Sequence, residues 1–122
     1  MTATVLVVDD EDDIRLLTKL ILEGKGNRVV EAPTAEDGLA ALDAEQISWV
    51  LLDLRLPGID GWEFLRRLRE HPDHQSTPVV IMSAHSSPRT LKKAAESGTH
   101  GYLIKPFTEA DLLRIAEDFD AA

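Results

Sequence analysis

Acidic residues stand directly after two apolar runs of this chain. Asp9-Asp10-Glu11 follows Thr4-Val-Leu-Val-Val8, and Asp53 closes Trp49-Val-Leu-Leu-Asp53. Two further runs end on residues able to grip an anion, Ser83 after Val79-Val-Ile-Met82 and Lys105 after Gly101-Tyr-Leu-Ile104. Carboxylates about 4 Å apart repel by roughly 4 kcal/mol per pair at an effective dielectric near 20, so a pocket shared by these acids calls for a cation. With no cysteine in the chain and mainly oxygen donors at the strand ends, the expected ion is Mg2+, with Mn2+ able to take its place. A cation, the Lys105 ammonium and the Ser83 hydroxyl around a carboxylate suit a phosphoryl group. Asp53 is the candidate nucleophile, because an aspartate can accept phosphoryl as a mixed anhydride while fixed positive charge holds the transferring oxygens.

These residues need elements that bring them together. The four runs and a fifth, Arg28-Val-Val-Glu-Ala32, read as short buried strands, and helical spacing fills the intervals between and after them: Ile14, Leu17 and Ile21; Leu39 and Leu42; Leu65 and Leu68; Leu91, Ala94 and Ala95; Leu112 and Ile115. Thr34 and Thr108 each precede an acid by three residues, Ser87-Pro88 offers an N-cap and a first-turn proline, and Gly24, Gly26 and Gly98 stand where helices should stop. Strand and helix alternating five times predict an α/β fold, a doubly wound parallel sheet covered on both faces. The irregular stretches are residues 54–60, 71–77 and 84–86. The second strand runs into the bland pair Ala32-Pro33. An order 2-1-3-4-5 puts it at an edge and joins the polar ends of strands one and three at the switch point, where such sheets bind ligands.

Composition narrows the function. A chain of 122 residues has room for one domain, here residues 1–122, with 43% hydrophobic and 29% charged residues as in an ordinary soluble globule. A formal charge of −9 repels nucleic acid phosphate and anionic lipid, so neither is an expected direct partner. The absence of cysteine excludes disulfides, thiolate nucleophiles and the usual structural zinc sites. No signal peptide or membrane span is legible, and the expected location is cytoplasmic. His71 and His74 have helical spacing, but Pro72 between them at a helix end argues against a metal site there.

Four fragments, each at a predicted strand end and in the right order, resemble the bacterial response-regulator receiver domain of the chemotaxis-regulator type: Val7-Val-Asp-Asp-Glu11, Asp53-Leu-Arg-Leu-Pro-Gly-Ile-Asp-Gly61, Ile81-Met-Ser-Ala84 and Tyr102-Leu-Ile-Lys-Pro-Phe107. The likeness spans essentially the whole chain and implies the same 2-1-3-4-5 flavodoxin-like sheet with five helices. It implies Asp53 as phosphoacceptor, Asp10 as a direct Mg2+ ligand, and Asp9 as its partner acting mainly through metal-bound water. The Arg55 backbone carbonyl would complete the protein's share of the metal shell. Ser83 resembles the switch hydroxyl, Tyr102 the aromatic that changes rotamer with it, and Lys105 the phosphoryl-binding lysine. A cis Lys105-Pro106 peptide belongs to the same motif.

By that resemblance a histidine kinase or histidine phosphotransfer protein donates phosphoryl to Asp53 in a phosphorelay. The domain catalyses only its own phosphorylation and dephosphorylation, and its changed surface acts on a downstream partner or on an output domain not included here. Arg55 and His85, two residues after Asp53 and Ser83, are expected at the pocket mouth, where they would set the lifetime of the phosphorylated form. Lys92, Lys93 and Arg89 read either as a solvated face or, by the resemblance, as part of a partner surface. Trp62 and Phe64 read as packing residues.

Bland readings and other classes fit less well. Taken alone, Asp9-Asp10 would be an acid cluster at a helix N-terminus, Asp53 with Lys105 a salt bridge, Ser83 a turn residue and Tyr102 core. A haloacid-dehalogenase-like phosphatase needs a second Asp where this chain has Arg55, and a cap domain for which there is no room. A flavodoxin-like carrier would want a phosphate loop where this chain has acids. A receiver-like module that no longer uses phosphate should have lost some of Asp10, Asp53, Ser83 or Lys105.

Overall fold

The computed structural model describes residues 3–84 and 87–120. Five strands alternate with five helices: β1 (Thr4–Val8), α1 (Asp12–Gly24), β2 (Arg28–Ala32), α2 (Ala35–Ala44), β3 (Trp49–Asp53), α3 (Gly61–Glu70), β4 (Val79–Ser83), α4 (Pro88–Glu96), β5 (Gly101–Ile104) and α5 (Glu109–Asp120). The strands form one parallel sheet in the order β2-β1-β3-β4-β5. The expected strands are all present, and β4 runs one residue further than its apolar run, through Ser83.

Position in the sheet follows composition. β3 and β4 are buried at every residue, as central strands covered on both faces must be. β2 carries the exposed Arg28 and Glu31 and lies at an edge. Alternation along the strands makes two cores. Leu6, Val8, Val50, Leu52, Val79 and Ile81 face Leu42, Phe64, Leu68 and Ala94 of α2, α3 and α4. Val5, Val7, Leu51, Val80, Met82 and Leu103 face Leu22, Leu112 and Ala116 of α1 and α5.

The helix boundaries follow the signals read from sequence. Thr34 Oγ1 accepts from the Asp37 N–H at 3.0 Å, and Ser87 Oγ from that of Thr90 at 3.2 Å. Thr108 and Asp111 exchange two bonds, each side chain accepting from the other's backbone N–H. Gly26 and Gly98 lie just beyond α1 and α4 with φ of +91° and +78°, the left-handed conformation that ends a helix.

Two helices sit differently from their expected faces. In α1 the fully buried positions are Thr18 and Leu22, while Leu17 joins Leu16 and Leu20 on the exposed side. The segment holds more leucines than one face can bury, and its contacts with β2 and α5 select the stripe. In α4 only Ala94 is buried, and Leu91 and Ala95 face outward. Beyond its C-terminus Arg69 of α3 donates to the Gly98 carbonyl at 3.0 Å, and also to those of His74 and Thr77 in the α3–β4 connection at 3.1 and 2.8 Å.

Candidate functional site

The polar strand ends meet at one end of the sheet. Asp9, Asp53 and Lys105 continue the side-chain alternation of Val7, Leu51 and Leu103, so all three project from the face that carries α1 and α5. Lys105 is fixed by its backbone, whose N–H donates to the Ser83 carbonyl at 2.8 Å, and the Lys105-Pro106 peptide after it is cis as expected. Its ammonium donates to Asp9 Oδ2 at 2.8 Å, Glu11 Oε1 at 2.9 Å and Asp53 Oδ2 at 3.0 Å.

The two buried carboxylates are also anchored through their second oxygens. Asp9 Oδ1 accepts from the Glu11 N–H and Asp53 Oδ1 from the Arg55 N–H, both at 2.9 Å. Asp9 is fully buried, Asp53 is 4% exposed and Asp10 is exposed. Burial, the largest influence on Asp9, holds its carboxyl above the usual aspartate range despite the Lys105 hydrogen bond. Burial pulls the Lys105 ammonium down, but its bonds to Asp9, Glu11 and Asp53 together outweigh that and hold it above the usual lysine range. Lys105 is therefore charged at any physiological pH.

Carboxylate oxygens of Asp9, Asp10 and Asp53 lie within 4.8 Å of one another. An all-oxygen set with one exposed member suits a hard divalent ion that keeps several waters, so the donors fit Mg2+ and Mn2+ and give zinc neither nitrogen nor sulfur. Beside them is a cavity of about 250 Å³ lined by Asp10, Glu11, Asp53, Arg55, Ser83 and Lys105. Ser83 is buried at its rim. Tyr102 is half-buried against the α2–α4 core. It pairs with Ile81 while Ser83 pairs with Ile104, so Tyr102 and Ser83 share one face of the sheet as diagonal neighbours.

The fold thus gathers Asp10, Asp53, Arg55, Ser83 and Lys105 at one cavity, with Asp9 buried behind it on Lys105 and Tyr102 a step back along β5. His85 lies outside the described residues. Sequence reasoning named Glu11 as an acid of the cluster without seeing that it shares Lys105, a contact across 94 positions. It also missed Gly61, where a Cβ would stand 2.6 Å from the Asp53 carbonyl oxygen and from Leu54 Cα. That glycine lets α3 begin directly against the end of β3. His71 and His74 are occupied otherwise than by a metal. His71 Nε2 lies 2.8 Å from Asp43 Oδ1, and His74 is buried between Thr77 Oγ1 and the Leu42 carbonyl.

Comparison with known proteins agrees with this geometry. The chemotaxis protein CheY4 of Vibrio cholerae superposes with a TM-score of 0.92 at 27% identity, over 98% of this chain and 99% of that one. A putative response regulator from Chloroflexus aurantiacus gives 0.92 at 30% identity over the full length of both. The KDP operon transcriptional regulatory protein KdpE of Escherichia coli is 40% identical over 115 residues, which are 92% of this chain and 50% of KdpE, so the chain spans half the length of that relative. No described helix is long and apolar enough to cross a membrane. Residues 5–117 match the response regulator receiver domain model, and the chain belongs to that family of two-component signalling proteins.

Proposed function

We propose that residues 1–122 act as one receiver unit whose phosphoacceptor is Asp53, fed by a histidine kinase or a histidine phosphotransfer protein in the cytoplasm. The observation that carries this is the Lys105 ammonium held 3.0 Å from Asp53 Oδ2 inside a cavity that also presents Ser83. A phosphoryl group entering there meets a carboxylate nucleophile, a fixed positive charge and a hydroxyl.

In the transfer, an Asp53 oxygen attacks phosphorus, the bond from phosphorus to the donor's imidazole nitrogen breaks, and the imidazole leaves with the bonding pair. Lys105 and Ser83 hold oxygens of the group in flight, stabilising charge without chemistry of their own. Asp9, Asp10, Asp53 and the Arg55 carbonyl would hold Mg2+, which would supply the remaining positive charge when bound. The same residues serve hydrolysis of the aspartyl phosphate, so the chain catalyses its own modification and its reversal.

The output is a surface. Phosphorylation exchanges one negative charge on Asp53 for about two and adds oxygens that Ser83 and Lys105 grip. Ser83 drawn toward the phosphoryl group opens the space behind it to Tyr102, its diagonal neighbour, and α4, with its one buried residue, is the element free to follow. The reader of that surface is a downstream protein or an output domain. Nucleic acid is not a direct partner of a chain with a formal charge of −9.

Intact-mass spectrometry after incubation with acetyl phosphate tests the reading. One Mg2+-dependent phosphoryl adduct, absent from Asp53→Asn, is expected. No adduct on the native protein, with Mg2+ binding shown separately, would overturn it.

A further inference from the structure

A second, larger cavity opens beside the acid site. It measures about 690 Å³, within the size range of small-ligand pockets, and lies between the β3–α3 loop and the first turn of α4. Three of its lining residues, Asp10, Arg55 and Ser83, also line the acid cavity, so the two spaces adjoin along a shared rim. Beyond that rim the character changes. Leu54, Leu56, Pro57 and Trp62 form an apolar wall, and Asp60 with Ser87 and Thr90 at the start of α4 supply the polar remainder. The Trp62 ring carries the Lys93 ammonium 4.4 Å from its centroid, which ties the wall to α4.

We propose that this groove receives the apolar leaving half of small acyl phosphates, so that the chain selects aryl over alkyl acyl phosphates as direct phosphoryl donors. The inference rests on Asp53 being the phosphoacceptor. In-line displacement sends the leaving oxygen away from the attacking one. The Asp53 oxygen forms its bond to phosphorus, the phosphorus–oxygen bond of the donor's mixed anhydride breaks, and a carboxylate departs with the electron pair. No proton or further reactant is needed at neutral pH.

Charge does not set the groove apart, because Asp10 and Arg55 line both cavities, Glu11 only the acid cavity and Asp60 only the groove. What distinguishes the groove as the leaving side is its apolar wall. An aromatic body behind the carboxylate then meets Trp62, Leu56 and Pro57. A methyl group in the same place is too small to cover them.

The test compares benzoyl phosphate with acetyl phosphate, with Mg2+, as second-order rate constants for adduct formation in the full chain. The ratio within one protein cancels damage to the acid cavity, and comparison of ratios between proteins cancels the donors' intrinsic reactivities. The benzoyl-to-acetyl ratio is expected to fall about tenfold from the native chain to Trp62→Ala, the factor that ~1.4 kcal/mol of aromatic contact supplies. Trp62→Phe should keep most of the ratio. Thr90→Phe, which plugs the groove from α4, should lower it as Trp62→Ala does and decides the matter alone if the Trp62 variant fails to fold. Ratios equal within twofold in the native chain and Thr90→Phe would overturn the proposal and leave the wall to packing or to a partner protein. Adducts from acetyl phosphate with no aryl preference would sink this inference only, whereas no adduct from either donor would sink the phosphoacceptor reading with it.

Discussion

Lys105 Nζ stands 3.0 Å from Asp53 Oδ2 although 52 residues separate them, and the same ammonium lies 2.8 Å from Asp9 Oδ2. Both carboxylates are almost without solvent, and the lysine side chain is only 10% exposed. The ammonium is therefore the counter-charge that makes two buried carboxylates tolerable, and the fold's stability is tied to the chemistry of the site.

Removal of that counter-charge should be costly without metal and tolerable with it. Lys105→Met is expected to destabilise the chain by about 3 kcal/mol in a chelator, the typical penalty for stranding a buried charge. Mg2+ should stabilise this variant more than the native chain, because the ion supplies the charge the lysine no longer does. Urea unfolding with chelator and with Mg2+ measures both, and an equal loss under the two conditions would show that Asp9 and Asp53 do not share a cation.

Asp10 separates metal binding from folding. It is exposed, so Asp10→Ala should change metal-free stability by no more than about 0.5 kcal/mol. Its loss should nonetheless abolish the gain from Mg2+, which for the native chain is about 2.7 kcal/mol when the ion is at a hundred times its dissociation constant. Thermal unfolding against Mg2+ concentration gives the answer. A variant that still gains as much as the native chain would remove Asp10 from the ligand set.

What could be read from sequence was what the chain decides locally. The caps at Thr34, Ser87 and Thr108 depend on residues three positions apart, and the strands depend on short apolar runs. The site residues were legible because a parallel sheet presents every strand end on one side, so Asp9, Asp53, Ser83 and Lys105 needed only the strand order to be brought together. Relationships between distant faces were not legible. Which stripe of α1 turns inward depends on β2 and α5, so Leu17 was expected on a face that Thr18 and Leu22 occupy. Lys93, read as a solvated or partner-facing residue, lies over Trp62, which had no expected contact with α4.

Gly61 is the clearest case of a residue whose role only the packing reveals. A Cβ there would meet the Asp53 carbonyl oxygen and Leu54 Cα at 2.6 Å, both backbone atoms with no side-chain freedom to yield. Gly61→Ala should therefore push α3 away from the end of β3 and disturb Asp53 itself. The expected cost is about 2 kcal/mol, within the range for overpacking, together with slower adduct formation from acetyl phosphate. An alanine variant as stable and as reactive as the native chain would mean that this approach does not position Asp53.

At the opposite end of the sheet, His100 should make the fold sensitive to mild acid. Its Nδ1 accepts from the Val79 N–H at 3.3 Å, which requires an unprotonated nitrogen. Burial first, and the Arg69 charge second, hold its pKa below the ordinary 6.5. Across the interval from that lowered value up to 6.5 the unfolded chain binds more protons than the folded one, so folding stability rises with pH there. The contribution is complete above pH 6.5 and is lost as pH falls through 6.5 toward the folded value. Because His100 is exposed, solvent screening should keep the effect under about 1 kcal/mol. Denaturant unfolding of the native chain and His100→Gln between pH 7.5 and 5.5, values chosen to bracket the window, isolates it from the other histidines. The native chain should lose more stability on acidification than the variant, and parallel curves would show that His100 does not carry the dependence.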